Sequence, residues 1–204
     1  MRHATPLLAL VGLLAACAPE QPNDEGQGGE SETPPTAAAT VPGIPKIEPE
    51  AGRVSEYTRL DSCKLEERSP PGEGDFSSHV CPGLGGYGLM LTEGDLRQNL
   101  VVQLPKGGGD RSLKLSEVTA SGGFTRLGES VEWRGRREGE GFRPDALILR
   151  YFVVENPDAP GKETPYLLTV SLGKDGPCVT GKLPPSPDQN EAARHKADGP
   201  MRCL

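Results

Sequence analysis

The sequence predicts a mainly β (α+β) fold, an antiparallel sheet or sandwich of about seven short strands with one C-terminal helix. Three observations carry this expectation. Gly (27) and Pro (21) are abundant while hydrophobic residues make up only 34% of the 204, a balance that suits many turns and short strands rather than a helix bundle. Apolar residues alternate over several short runs, each bounded by turn-forming residues. One segment near the C-terminus carries both a helix start and a helix stop.

The strands follow from period-two alternation and turn chemistry. Segments 87–91, 96–104, 113–118, 131–134, 146–154, 166–172 and 178–183 each read as a strand. Emphatic turns separate several of them: Thr92-Glu93-Gly94-Asp95, Lys106-Gly107-Gly108-Gly109-Asp110 and Gly173-Lys174-Asp175-Gly176. Ala146-Leu147-Ile148-Leu149 is apolar on both faces, which marks the central strand. Tyr166, Leu168, Val170 and Leu172 form one apolar face of its hairpin partner. In the helix, Ser186 is placed to cap and Pro187 suits the first helical position. Gln189 completes a capping box, Ala192, Ala193 and Ala197 favour helix, and Gly199-Pro200 ends it. Its apolar face is alanine only, so burial alone would hold it weakly.

Aromatic residues locate the globular part. The one Trp, four Tyr and four Phe all lie between Tyr57 and Tyr166. Residues 53–204 therefore read as a single globular domain, residues 17–52 as a tether and residues 1–16 as a signal peptide. Segment 18–52 holds seven Pro, five Gly and seven acids against Lys46, with no aromatic and no Cys. Such a segment cannot bury enough apolar surface to offset its conformational entropy and is expected to stay disordered. Fully extended it would reach about 115 Å, with a coil average nearer about 35 Å. Of the formal charge of −7, the tether carries −6. The globular part is close to neutral with signs interspersed, so it lacks the basic footprint of a nucleic-acid binder and no nucleic-acid partner is expected.

At the N-terminus, Arg2 is followed by the apolar run Pro6 to Leu14 and then by Ala15 and Ala16. That run is too short to span a bilayer as a helix. Leu14-Ala15-Ala16-Cys17 resembles the lipobox of bacterial lipoproteins. The resemblance implies acylation of the Cys17 sulfur, cleavage after Ala16 and anchoring through acyl chains such as palmitate, more than one being needed for stable attachment. Ala18, rather than Asp, follows the cysteine, which by the rule of that family implies an outer-membrane location facing the periplasm.

With Cys17 spent on lipid, Cys63, Cys81, Cys178 and Cys203 remain, an even number in an oxidising compartment. Four cysteines allow three connectivities. The sequence-local pairing, Cys63 to Cys81 and Cys178 to Cys203, is preferred because each pair brackets a segment that needs restraint: a Pro/Gly-rich loop and the alanine-faced helix.

Motifs that suggest chemistry fail in context. Gly83-Leu84-Gly85-Gly86-Tyr87-Gly88 matches G-x-G-x-x-G, but a strand rather than a helix follows it, so it reads as a turn or bulge. Segment 176–182 (GPCVTGK) starts like a phosphate-binding loop, yet Leu183 stands where Ser or Thr would hold magnesium. Ser171-Leu172-Gly173-Lys174 matches S-x-x-K but ends a strand rather than sitting on a helical turn. After Cys17 only His79 and His195 remain as histidines, at no metal-ligand spacing, so neither a metal nor a cofactor is expected. The chain is read as a non-enzyme.

Asp95, Arg97, Glu132, Arg134 and Arg150 form a possible ion-pair or ligand cluster. Arg150 lies in the most apolar strand, on the side of Ile148 and Phe152, so its charge must be paired or its head must reach water. Pairing with Glu132 or Asp95 is the expected arrangement and a ligand contact is the alternative. The segments CPGLGGYGLMLTEGDLR, VEWRG, ALILRY and NEAARHKAD with the terminal cysteine resemble an uncharacterised family of small exported proteobacterial proteins. That resemblance implies no activity. The expected function is a membrane-anchored envelope lipoprotein acting as a periplasmic binding or interaction module, with an envelope protein or glycan as partner. Two alternatives stay open: an inhibitor of a cell-wall hydrolase such as lysozyme, and a glycan-acting enzyme that uses a carboxylate pair.

Overall fold

The double-faced run Ala146-Leu147-Ile148-Leu149 lies in the middle of the sheet, within a strand that spans Gly141–Val154. A computed structural model describes residues 52–119 and 123–204. In chain order the elements are β1 (Arg53–Arg59), β2 (Lys64–Arg68), β3 (Ser77–Cys81), β4 (Gly88–Gly94), β5 (Arg97–Gln103), β6 (Asp110–Ser112), α1 (Leu115–Thr119), β7 (Thr125–Glu138), β8 (Gly141–Val154), β9 (Glu163–Ser171), β10 (Cys178–Leu183) and α2 (Gln189–Asp198). The fold is mainly β with a C-terminal helix and two disulfides, as the sequence predicts, with ten strands among the described residues rather than about seven.

The strands run in the order β10-β9-β8-β7-β5-β4-β3-β2, with β1 added to β7 and β6 to β5. β5 and β7 meet only where Arg97 lies beside Thr125, in parallel, and the other ladders are antiparallel. The sheet turns at that junction. Its two halves, β1-β7-β8-β9-β10 and β6-β5-β4-β3-β2, close on one core in which Leu89, Leu100 and Val102 meet Val131, Trp133, Leu147, Leu149, Tyr151, Leu168 and Val170. The two polar aromatic groups buried in this core are paired. Trp133 Nε1 donates to Thr58 Oγ1 at 2.9 Å, and Tyr151 Oη donates to the Gln98 carbonyl at 2.9 Å beside the Thr125 hydroxyl at 2.8 Å.

Alternation sends Ala146, Ile148 and Arg150 to the outer face of β8, where α2 lies. Ala193 and Ala197 pack there against Ala146, Ile148 and Leu167. Small residues on both sides let the helix approach closely. A Cβ at Gly181 would come within 2.7 Å of Thr169 Oγ1 and 3.2 Å of Lys196 Cγ. The disulfide Cys178–Cys203 ties the chain beyond α2 to β10, and the Leu204 N–H donates to the Val179 carbonyl at 2.9 Å. The other disulfide, Cys63–Cys81, joins β3 to the residue before β2 and closes the Pro/Gly-rich loop. Both are the sequence-local pairs.

Several local expectations need correction. Segment 113–118 is not a strand: the ladder on β5 ends at Ser112, Lys114 takes φ +50°, and the Leu115 N–H is accepted by Asn99 Oδ1 at 3.0 Å as α1 begins. Leu113 and Leu115 alternate because a turn feeds both into the core, not because they share a strand face. Ser186 does not cap α2. Its hydroxyl bonds Asp188 Oδ1 at 2.8 Å, and the helix starts only at Gln189. Gln189 is buried, so its amide must find partners, and it donates to the Pro165 and Leu183 carbonyls at 2.9 and 3.0 Å instead of completing a capping box. Segment 131–134 is the middle of a 14-residue strand, and β1, β2 and β3 add to the expected set of strands.

Candidate functional site

The outer face of the β1-β7-β8 layer and the near side of α2 enclose a polar groove. β1 sends Arg53, Ser55 and Tyr57 to this face, and its partner β7 sends Glu132 and Arg134. α2 brings Arg194 and Asp198, spaced one turn apart on the same helix face.

The deep end is an ion network. Arg53 Nε donates to Asp198 Oδ1 at 2.8 Å and its Nη1 donates to Asp145 Oδ2 at 2.8 Å. Arg134 Nε donates to the same Asp198 Oδ1 at 3.0 Å, and its Nη1 donates to Ser55 Oγ at 2.7 Å. The side chains of Arg53, Arg134 and Asp198 are only 5%, 7% and 9% exposed. Burial alone would push the Asp198 carboxyl up, but Arg134 and Arg53 together outweigh it and hold the group below the ordinary carboxylate range. Burial likewise opposes the charge on Arg53, and hydrogen bonds and attraction from Asp145 and Asp198 reverse that effect. Two arginines and two aspartates thus neutralise each other, and a cleft of about 300 Å³ opens beside them toward Glu191 and His195.

Arg194 separates this cleft from a second one of about 190 Å³ at the other end of the groove. Its guanidinium donates to Glu132 through Nε at 2.7 Å and Nη2 at 3.2 Å, and Nη2 also reaches Tyr57 Oη at 3.2 Å. The bonds to Glu132 raise the Arg194 pKa above its ordinary value. Glu132 accepts a further bond from Ser55 Oγ at 2.5 Å. Arg150 stands on the far wall, where Gln189 Oε1 and Asn190 Oδ1 accept from its terminal nitrogens at 3.2 and 3.3 Å.

The five residues expected to cluster are divided between two places. Glu132, Arg134 and Arg150 line the groove, while Asp95 and Arg97 form an ion pair of their own at the β4–β5 turn. Arg150 pairs with neither Glu132 nor Asp95, because docking of α2 gives Glu132 to Arg194 and Arg150 to two amides. Sequence reading missed Arg53, Ser55, Tyr57, Asp145, Arg194 and Asp198. The only local signal was the alternation of Arg53, Ser55 and Tyr57, and their partners lie 77 to 145 residues away. The glycine motif forms a turn before β4, with Gly85 at φ +61° and Pro144 Cδ within 2.2 Å of where a Cβ would stand. His195 lies 3.8 Å from Glu191 on α2. Cys17 and the tether lie outside the described residues.

A third recess, about 340 Å³, sits at the other end of β7, where the β4–β5 turn meets Phe124, Arg126, Val154, Pro160 and Glu163. Leu96 and Phe124 are 57% and 42% exposed at its rim. Arg126 stacks 3.8 Å from the Phe152 ring centroid and donates to Glu163 at 2.9 Å. Asp95 and Leu96 both take positive φ, +50° and +56°, although neither is glycine. Comparison with protein-family models, curated proteins and solved structures finds no match to the chain.

Proposed function

We propose that the chain is an envelope lipoprotein, acylated at Cys17 after cleavage behind Ala16, whose globular domain is a binding module that docks a partner protein through the Leu96–Phe124 end. The observation that carries this reading is Leu96, an apolar side chain left more than half exposed on a turn that would be less strained without it. Backbone strain of this kind costs about 1–2 kcal/mol and persists where recognition gains from it. The chain enters the domain at Arg53, which pairs with Arg136, while Leu96 adjoins Thr125 at the opposite end of β7. A tether joined at Arg53 would therefore attach at the opposite end of β7 from the docking end.

The acids of the groove argue against a carboxylate enzyme there. A general acid needs a raised pKa, whereas Asp198 is held low by two arginines and Glu132 is engaged by Arg194 and Ser55. The inhibitor reading is favoured by one specific feature. The β4–β5 hairpin ends in a two-residue tip, Asp95-Leu96, that puts an apolar side chain forward, as a loop entering an enzyme cleft would.

Tagged full chain and its Leu96→Asp variant, each used for capture from envelope extract, test the docking end. A partner held by the parent and lost from the variant supports it, and equal capture overturns it. Adding the captured partner's cell-wall hydrolase assay separates the inhibitor from a plain adaptor. Labelling cells with an acyl-chain probe before and after Cys17→Ser tests the anchor, and label persisting on the variant overturns it.

A further inference from the structure

The open end of the α2 groove is rich in hydrogen-bond donors and holds a guanidinium that, among the described residues, has no carboxylate partner. Among the described residues, the side-chain partners of Arg150 are the neutral oxygens of Gln189 and Asn190, at 3.2 and 3.3 Å. A guanidinium also donates through Nε and through a second hydrogen on each terminal nitrogen, and these are left over. Tyr57 Oη accepts from Arg194 and keeps its own hydroxyl hydrogen for an incoming acceptor. Asn190 gives its oxygen to Arg150, so its amide hydrogens are available, and Ser130 adds a hydroxyl to the same wall. The acid lining this cleft, Glu132, is already engaged by Arg194 and Ser55. Ile148 and Leu167 supply apolar surface.

We propose that this cleft binds the carboxylate group of a small ligand with a short apolar body, and that Arg150 is the cation that meets it. The planar guanidinium fork matches a carboxylate edge-on. Its orientation is set by two amide oxygens that hold it without neutralising it, so it does not have to leave a carboxylate partner before binding. Arg150 and Arg194 against Glu132 leave one positive charge, which a monoanion balances. A phosphate dianion would exceed that charge and crowd Glu132. A cleft of about 190 Å³ admits a chain end rather than a large ligand. The site is separate from the Leu96–Phe124 end and stands whether or not that end docks a protein.

Calorimetry on the purified full chain tests this with four probes: N-acetyl-dialanine, the same peptide as its C-terminal amide, acetate and inorganic phosphate. The free-acid peptide is expected to bind, and its amide to bind about tenfold more weakly or worse. Acetate binding as tightly as the peptide would identify a free organic acid as the ligand, and much weaker acetate a peptide C-terminus. Phosphate binding tighter than either, amide equal to acid, or no binding at millimolar concentration each overturns the proposal. Arg150→Gln should abolish binding of the acid. Asn190→Asp offers Arg150 the carboxylate it lacks, so it should also abolish binding while leaving the thermal midpoint no lower than the parent's. Undiminished binding in Asn190→Asp overturns the assignment even if Arg150→Gln fails to fold.

Discussion

Arg53, the first residue of β1, donates from Nε to Asp198, the last residue of α2, at 2.8 Å across 145 residues of chain. Both are nearly buried, and Asp198 is shared with Arg134, so one carboxylate fixes the helix to two strands.

Among the described residues, removing that carboxylate leaves the buried Arg134 with Ser55 as its remaining side-chain partner and Arg53 with Asp145 alone. Asp198→Asn should destabilise the domain by about 3 kcal/mol, the scale for breaking a buried pair from one side. The parent should also weaken in acid with a definite sign. The native pKa of Asp198 lies below its unfolded value, so its contribution is complete above about pH 4 and fades as pH falls through the lower native value. Urea unfolding from pH 7 to pH 2 should show the parent losing more stability below pH 4 than Asp198→Asn does. Parallel curves would mean that Asp198 does not carry the acid response.

Among the described residues, α2 contributes only Ala193 and Ala197 to the apolar cluster that holds it, so the disulfide behind the helix matters. Replacing Cys178 and Cys203 by Ser should cost about 3 kcal/mol in the chain-entropy model for a loop of this length. The loss should be local first. Hydrogen exchange should quicken in α2 and β10 while β8 amides stay protected. Uniform loss of protection would show that the helix is not a separate opening unit.

The parts of this fold legible in the sequence were those written in short-range pattern. Ala146-Leu147-Ile148-Leu149 announced a strand buried on both faces, and Gly199-Pro200 announced where α2 stops. β2 carried no such pattern because all five of its residues are exposed, and β1 buries only Thr58 fully. The groove was harder still. Alternation placed Arg150 on the outer face, but which oxygen it meets depends on where a helix 39 residues later lands. Side-chain chemistry named the candidates, and tertiary docking chose the pairs.

The single Trp offers a direct probe of the core. Trp133 Nε1 donates to Thr58 Oγ1 at 2.9 Å, both groups being buried. Thr58→Val keeps the volume and removes the acceptor, leaving the indole N–H unpaired at a cost of about 1–3 kcal/mol. Tryptophan fluorescence followed through denaturant should show a lower midpoint with an unchanged slope. A midpoint equal to the parent's would mean that the indole finds another acceptor.

The strained turn gives the last test, because stability and recognition should move in opposite directions there. Asp95 and Leu96 both take positive φ, the arrangement of a type I′ turn, whose second central position suits glycine. A left-handed conformation costs a non-glycine residue about 1–2 kcal/mol, so Leu96→Gly removes strain. It also removes an apolar side chain that is 57% exposed in the native state. Part of the gain returns to the more flexible unfolded chain, which leaves a net stabilisation of about 0.5–1 kcal/mol. Chemical denaturation should therefore place Leu96→Gly above the parent, while capture of the partner falls. A variant that is both more stable and fully competent would show that Leu96 is tolerated on the turn rather than retained for docking.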